Sequence, residues 1–336
     1  MVESFAVMAT CIVVPDSRSA AMWGRGMDIE WRERRVEEWR AYLQKVPRTN
    51  YLQSVPFARA VLDQDKKQTR IGLLHRGGSE VGIMAVNELR VGPLSFVDLF
   101  RGPLWFAEDP GEDLLREFAR AFDREFPRSL LRFRRWLPEW PDGDVARRVL
   151  AECGFRPRRQ DYETLIVDLS PSEEQILQAM RGNWRNQLRQ AERAGVGTSV
   201  DTKGSTAKLF LHRYDQDRKE RKYYGRPKAF MRSEMSLALA YDEMFILWAA
   251  HNGRSVAAIL VVQHGRTASY RIGWTTPEGR ACNAHNLLLW TAVKELKGRG
   301  IRYFDLVGVE PGSEAGLTHF KRGLGGAAFK TMGMYS

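Results

Sequence analysis

Gly300-Ile301-Arg302-Tyr303-Phe304-Asp305-Leu306-Val307-Gly308-Val309, followed shortly by Gly316-Leu317-Thr318-His319-Phe320-Lys321-Arg322-Gly323, decides how this chain folds. A helical pattern over Asn286–Arg299 runs into Gly300, and the apolar run Ile301–Val307 reads as the strand that follows it. That strand opens into a glycine-containing loop carrying Phe320-Lys321. A helix feeding a strand in this way belongs to an α/β layer, where a rigid scaffold delivers an acid (Asp305) and then a cation (Lys321) to one edge of a sheet.

Working outward, Ser255–His264 and Thr267–Gly273 read as a hairpin, Phe245–Ala250 and Gly197–Thr202 as strands, and Ser172–Ala194 as helical. The first half has the same order of elements. An amphipathic helix over 29–46 carries Trp31, Val36, Trp39, Leu43 and Val46, and a short helix spans 55–64. Gly77-Gly78-Ser79 joins the strands Arg70–His75 and Glu80–Leu89. Then come the run Leu94–Phe100, a helix Gly111–Phe126, a strand Leu130–Trp136, a helix Asp144–Cys153 and a strand Thr164–Asp168. The halves share element order rather than residues. They predict an α/β (α+β) fold of two tandem units, 27–165 and 166–336, each a mixed twisted sheet flanked by helices, with the final residues placed to pack back on the first unit. Residues 1–26 read as a disordered tail or a mis-assigned start, with Met22 or Met27 as the alternative beginning.

The 336 residues suffice for two hydrophobic cores, and the composition argues against wholesale disorder. A formal charge of +11 favours anionic partners: nucleic acid, phosphorylated molecules or an anionic membrane surface touched peripherally. Cys11, Cys153 and Cys282 are too few and too scattered for a disulfide framework or a zinc spacing, which fits a reducing, cytoplasmic compartment. The six histidines form no i,i+4 pair, so no metal is expected. No apolar run reaches the ~18 residues of a membrane span. Neither a nucleophile elbow nor a phosphate-cradling Walker loop is present, which removes support for a covalent intermediate or nucleotide hydrolysis.

Three segments carry a family resemblance. The basic run Met180–Val196 is similar to the helix that opens the second domain of the FemAB-type peptidyltransferases, FemX-like aminoacyltransferases of the GNAT-like superfamily. Tyr303–Gly308, fed by the helix Ala284–Gly300, resembles that family's "YDFGG" segment with Val307 in place of the first glycine, and Phe320-Lys321 resembles its catalytic Phe-Lys. The resemblance implies two GNAT-like domains and transfer of an aminoacyl group from aminoacyl-tRNA, a co-substrate rather than a bound cofactor, to the amine of a peptide or cell-wall precursor. The acceptor would be anionic, nucleotide- or lipid-linked. It implies that Lys321 stabilises the tetrahedral oxyanion and the departing ribose oxygen, and that Phe320 packs beneath the substrate or walls off solvent. Asp305 would seat the amine or act through water as its base; bonding to backbone at the strand end is the structural alternative. The helical hairpin that serves some members as a tRNA arm has no counterpart here.

The superfamily also includes N-acyltransferases that use acyl-CoA, whose pyrophosphate loop needs glycines ahead of a helix. The corresponding stretch, Arg280-Ala281-Cys282-Asn283-Ala284-His285, keeps the arginine and lacks the glycines, which disfavours CoA and leaves it as the alternative donor. Arg181, Arg185 and Arg189, with Arg193, fall four apart and would stack into a phosphate-binding ridge or form a solvated face; Gly182 and Asn183 are where the helix could begin instead. Tyr223 and Tyr224, in a stretch that interleaves charges with tyrosines, suit a substrate-contacting loop or the end of a mixed-charge helix. Arg101 at a strand-to-loop junction suits a phosphate contact, with Asn50 and Ser54 lining the same cleft; structural roles at such junctions are the alternative. A non-catalytic RNA- or membrane-binding module on the same fold is the rival from another class, and it would expose Lys321 on a convex surface.

Overall fold

A computed structural model describes residues 26–31, 36–158, 162–223, 225–309 and 316–336. The expected tail and Tyr224 therefore lie outside the described residues, apart from Gly26.

The first layer is built from β1 (Met27–Trp31), α1 (Val36–Lys45), α2 (Val55–Ala60), β2 (Gln68–Arg76), β3 (Ser79–Val91), β4 (Leu94–Phe100), β5 (Leu104–Trp105), α3 (Gly111–Glu125), β6 (Arg132–Leu137), α4 (Asp144–Glu152) and β7 (Pro157–Arg158). The second contains β8 (Glu163–Asp168), α5 (Glu173–Ala179), α6 (Gly182–Arg193), β9 (Gly197–Asp201), α7 (Ala207–Arg221), α8 (Lys228–Ala240), β10 (Met244–His251), β11 (Arg254–His264), β12 (Thr267–Thr275), α9 (Pro277–Ala281), α10 (Ala284–Gly298), β13 (Tyr303–Asp305), α11 (Gly316–Gly323) and β14 (Ala327–Lys330). A last strand, β15 (Met334–Tyr335), returns to the first sheet between β6 and β7. The sheet orders are β1-β2-β3-β4-β6-β15-β7, with β5 on β3, and β14-β8-β13-β12-β11-β10-β9.

The alternation expected of strands with one buried face is plain in β4. Val97 and Leu99 go into the core beneath α3, and Phe96 and Phe100 face the other side. α3 buries Leu114, Leu115, Phe118 and Phe122 at helical spacing. In the second unit α10 covers the sheet with Leu288, Leu289, Ala292, Val293 and Leu296.

Three local expectations change. Residues 29–31 extend a strand instead of beginning a helix: Met27, Ile29 and Trp31 share period two, and β1 pairs antiparallel with β2 from Met27↔Arg76 to Trp31↔Gly72. The strand expected over Ile301–Val307 shortens to Tyr303–Asp305, and Val307 turns to φ +55, which no regular strand accommodates. Phe320-Lys321 rides on the helix α11, not on a loop.

A shared apolar cluster joins the units. Tyr51 and Phe57 from the first pack with Phe210, Phe230, Trp248 and Trp274 from the second. The Phe57 and Phe230 rings lie 5.9 Å apart, edge to face. Thr49 adds a polar seam, donating its backbone N–H to Thr267 Oγ1 at 3.1 Å and lying 2.9 Å from His264 Nδ1. Burial, the first cause, pushes His264 down to about 3, so it is a neutral hydrogen-bonding group here.

Candidate active site at the seam of the two sheets

β12 and β13 run parallel for only three pairs, Thr267↔Tyr303, Ala268↔Phe304 and Ser269↔Asp305. Beyond Asp305 the chain stays with β8, because Leu306 N–H donates to Leu165 O and Val309 N–H to Glu163 O. β12 meanwhile continues to Thr275, so the sheet opens into a V after Asp305.

Lys321 sits at this opening and is 5% exposed. Its Nζ donates to Val307 O at 2.7 Å and Gly308 O at 3.0 Å and lies 5.7 Å from the centre of the Tyr270 ring. Among the described residues no acceptor takes its third N–H. Burial pulls the ammonium down to about 8, with the Asp305 charge opposing that fall. Phe320, on the same helix, packs between Trp184 and His285 at ring distances of 6.0 and 6.2 Å. Gly323 fixes the approach of α11 to α6, since a Cβ there would lie 2.4 Å from Trp184 Cδ1. Burial also draws His285 down to about 4, so its ring is a neutral wall of the V.

Asp305 is fully buried. It accepts from Arg101 Nη1 at 3.0 Å, from Thr164 Oγ1, and from the Val307 N–H at 2.8 Å. Burial works to raise its carboxyl, and the Arg101 charge with the Thr164 and Val307 donors outweighs it, leaving Asp305 below the usual range. The carboxylate is thus a fixed anion that orients Arg101 and the kink at Val307, and its bonded oxygens are turned to protein donors rather than to an amine.

Arg101 is the centre of the cross-unit network. It pairs bidentately with Glu139 at 2.7 and 2.9 Å and contacts Tyr162 Oη at 3.3 Å as well as Asp305. At 2% exposure and with these partners it does not present itself to a phosphate. Asn50 anchors the same corner, its Nδ2 donating to Arg101 O at 2.6 Å. Ser54 is buried as the N-cap of α2, accepting from the Phe57 N–H, and so is a helix cap instead of a cleft contact.

The arginine ridge divides. The helical stretch breaks at Met180 and Arg181, both extended, so α5 and α6 are separate helices and the second begins at Gly182. Arg185 turns inward and donates to the carbonyls of Leu177, Gln178 and Met180 at 3.3, 2.8 and 2.5 Å, closing the end of α5. Arg181 sits at the α6 N-cap, its backbone N–H donating to Gly323 O at 3.0 Å, and Arg189 is exposed. Tyr223 follows α7 and packs beside Gly225, with its hydroxyl raised by burial and by Asp217.

Sequence reasoning missed Tyr162. It accepts the Gly308 N–H at 3.4 Å, is held by Arg101, and lines a cleft of about 450 Å³ with Phe100, Arg135, Leu137 and Arg226. Through Gly308 it connects that cleft to the carbonyls gripping Lys321. Glu139 and Tyr303 line a second cleft of about 350 Å³ on the seam. No local pattern marks Tyr162 or Glu139, because their partners are remote in sequence.

The stretch before α10 bears on the donor. Four of its backbone N–H groups are engaged locally: Gly279 with Thr276 Oγ1, Arg280 with Thr276 O, Cys282 with Glu278 O and Asn283 with Arg280 O. Among the described residues no group of three or more His, Cys, Asp or Glu side chains is arranged to hold a metal ion, and no helix is long and apolar enough to cross a membrane.

Residues 178–322 match the model of an acetyltransferase (GNAT) domain, whose reaction class is acyl transfer. The chain superposes on FemX with a TM-score of 0.74 at 14% identity, covering 91% of this chain and 96% of that one. This is a tandem GNAT fold. Other structures with the fold include the C-terminal DUF2156 domain of a putative lysylphosphatidylglycerol synthetase from Agrobacterium fabrum (TM-score 0.53, 13% identity, 89% of each chain). A tandem GNAT protein from the clavulanic acid biosynthesis pathway is similar too, with a TM-score of 0.50 at 13% identity and coverage of 92% and 97%. No curated protein sequence matches the chain. The resemblance to the FemX-like GNAT proteins read from three sequence segments is thus met by the tandem GNAT fold as a whole.

Proposed function

We propose that this tandem GNAT protein is an aminoacyltransferase that moves an aminoacyl group from aminoacyl-tRNA to an amine of a peptide or cell-wall precursor. The observation that carries the reading is Lys321, a buried cation at the mouth of the splayed strands with two N–H groups fixed on backbone carbonyls and, among the described residues, no acceptor for the third. The acceptor amine attacks the ester carbonyl, the carbonyl π pair moves onto oxygen, and collapse breaks the bond to the ribose oxygen. That oxygen leaves with a proton derived from the amine. The remaining Lys321 N–H meets the developing oxyanion, and an ammonium near 8 is mostly protonated at neutral pH, as that role requires. Phe320 excludes water at this point. Asp305 acts through Arg101 and Val307 as a positioning residue.

Arg226 and Tyr162 in the larger cleft suit an anionic acceptor, Arg135 there being paired with Asp98, and the exposed Arg189 suits tRNA phosphates. The engaged amides before α10 speak against a CoA pyrophosphate there, since that cradle needs free N–H groups. The burial of Lys321 speaks against a binding module without chemistry. The test is single-turnover transfer from a pool of radiolabelled aminoacyl-tRNAs to a panel of amine acceptors, with Lys321→Ala alongside. Transfer that collapses in the variant supports the reading. Free CoA released from acyl-CoAs, with no transfer from tRNA, would replace it by the acyl-CoA-dependent reaction.

A further inference from the structure

One end of the first sheet exposes an apolar patch that takes no part in the site. The turn between β3 and β4 and the turn at Ser129–Arg132 lie side by side, tied by Ser95 N–H donating to Leu131 O at 2.8 Å. Leu130 at the tip is 98% exposed, and Val91, Leu131 and Phe133 are about half exposed, at 55%, 48% and 51%. Phe133 stacks on Phe96 with ring centres 5.1 Å apart. Burying such side chains in a monomer would stabilise it, so a cluster of them left in water at adjoining turns marks a contact surface.

The charges around the patch are of one sign. Arg90 and Arg128 are exposed on these same segments, and Arg132 is half-buried. The nearby acids are each paired: Glu88 and Glu125 share Arg70, Asp98 takes both Lys67 and Arg135, and Asp123 takes Arg134. An apolar tip within a collar of arginines complements an anionic bilayer, whose headgroups attract the arginines and whose acyl boundary accepts the leucines.

The patch is also aligned with the site. Phe96, Asp98 and Phe100 share one face of β4, in register with Phe133, Arg135 and Leu137 of β6. Phe100, Arg135 and Leu137 line the larger cleft. Four residues of strand, roughly 13 Å, separate the stacked phenylalanines from the cleft wall.

From these positions we infer that the Val91–Leu94 and Ser129–Phe133 turns dock on an anionic membrane surface, orienting the cleft toward a lipid-linked acceptor. The docking stands on the patch itself; only its purpose rests on the transferase reading.

The test is sedimentation of the full chain with vesicles of phosphatidylglycerol and phosphatidylcholine against pure phosphatidylcholine, at low and high salt, and transfer to a soluble acceptor analogue is measured alongside. Wild-type protein is expected to bind the anionic vesicles in a salt-sensitive way, and both Leu130→Ser/Leu131→Ser and Arg90→Glu to weaken partitioning about tenfold or more. Soluble transfer should be unchanged in both variants. Absence of wild-type binding, variants that bind as wild type does, or a vesicle-free dimer that the leucine variant dissolves would overturn the docking. Vesicle binding as expected with no transfer from any donor would retain the docking and remove the transferase reading.

Discussion

Replacing Lys321 by methionine separates what the buried ammonium does for the fold from what it does for the reaction. Folded Lys321 titrates near 8, against 10.5 for the unconstrained side chain. A lysine whose folded value is depressed costs stability in full below pH 8. That cost disappears as pH rises between 8 and 10.5, because the unfolded chain then binds more protons than the native one. From pH 7 to 9.5 the linkage works out at about 2 kcal/mol, so wild type should gain about 2 kcal/mol relative to Lys321→Met over that interval. Referring wild type to the variant at each pH cancels the titration of the tyrosines and other lysines. Urea unfolding followed by tryptophan fluorescence at four pH values measures the difference, and a difference that stays flat, or falls, refutes the burial argument. The activity arm runs the other way. Loss of one positioned donor to an oxyanion costs about 2.7–4 kcal/mol, so single-turnover transfer should drop by roughly 10²–10³ at pH 7. The wild-type rate should fall above about pH 8 as the ammonium is lost. A rate that rises through pH 8 would instead make the neutral amine the active form.

Arg101→Met leaves Glu139 and Asp305 as buried anions without their shared cation, so stability at pH 7 should fall by about 3–5 kcal/mol in denaturant unfolding. Arg185→Ala should lower stability by about 1–2 kcal/mol by freeing the α5 carbonyls and leave the salt dependence of tRNA binding alone. Arg189→Ala should do the reverse, keeping the melting temperature and reducing the slope of log affinity against log salt by about 0.7–1. Gly323→Ala drives a methyl into Trp184 and should displace α11; thermal unfolding and transfer assays should show at least about 1 kcal/mol lost together with the reaction.

Much of the architecture was legible locally. The Gly77-Gly78-Ser79 hairpin, the apolar face of α3 and the helix feeding β13 follow from periodicity and turn chemistry, which depend on neighbours a few residues away. Reading failed where a distant partner outweighed local pattern. Trp31 fits a helical stripe and a strand equally well, and pairing with β2, the Phe126 ring and the Arg70 guanidinium decides for the strand. Arg185 has the spacing of a phosphate ridge, yet the break at Met180 brings the open carbonyls of α5 within its reach.

The candidate site divides along the same line. Sequence alone marked Lys321, Phe320, Asp305 and Arg101 as residues of interest and set the order of elements that carry them. It could not say that Arg101 and Asp305, 204 residues apart, form one buried ion pair, or that Tyr162 joins the cleft to the carbonyls holding Lys321. Charge on a side chain is fixed by its chemistry; whether that charge faces solvent, a substrate or another protein group is fixed by which surfaces the folded chain brings together. Burial where β12 and β13 part is what brings an ordinary lysine down to about 8, and no short sequence window contains α11 together with those strands.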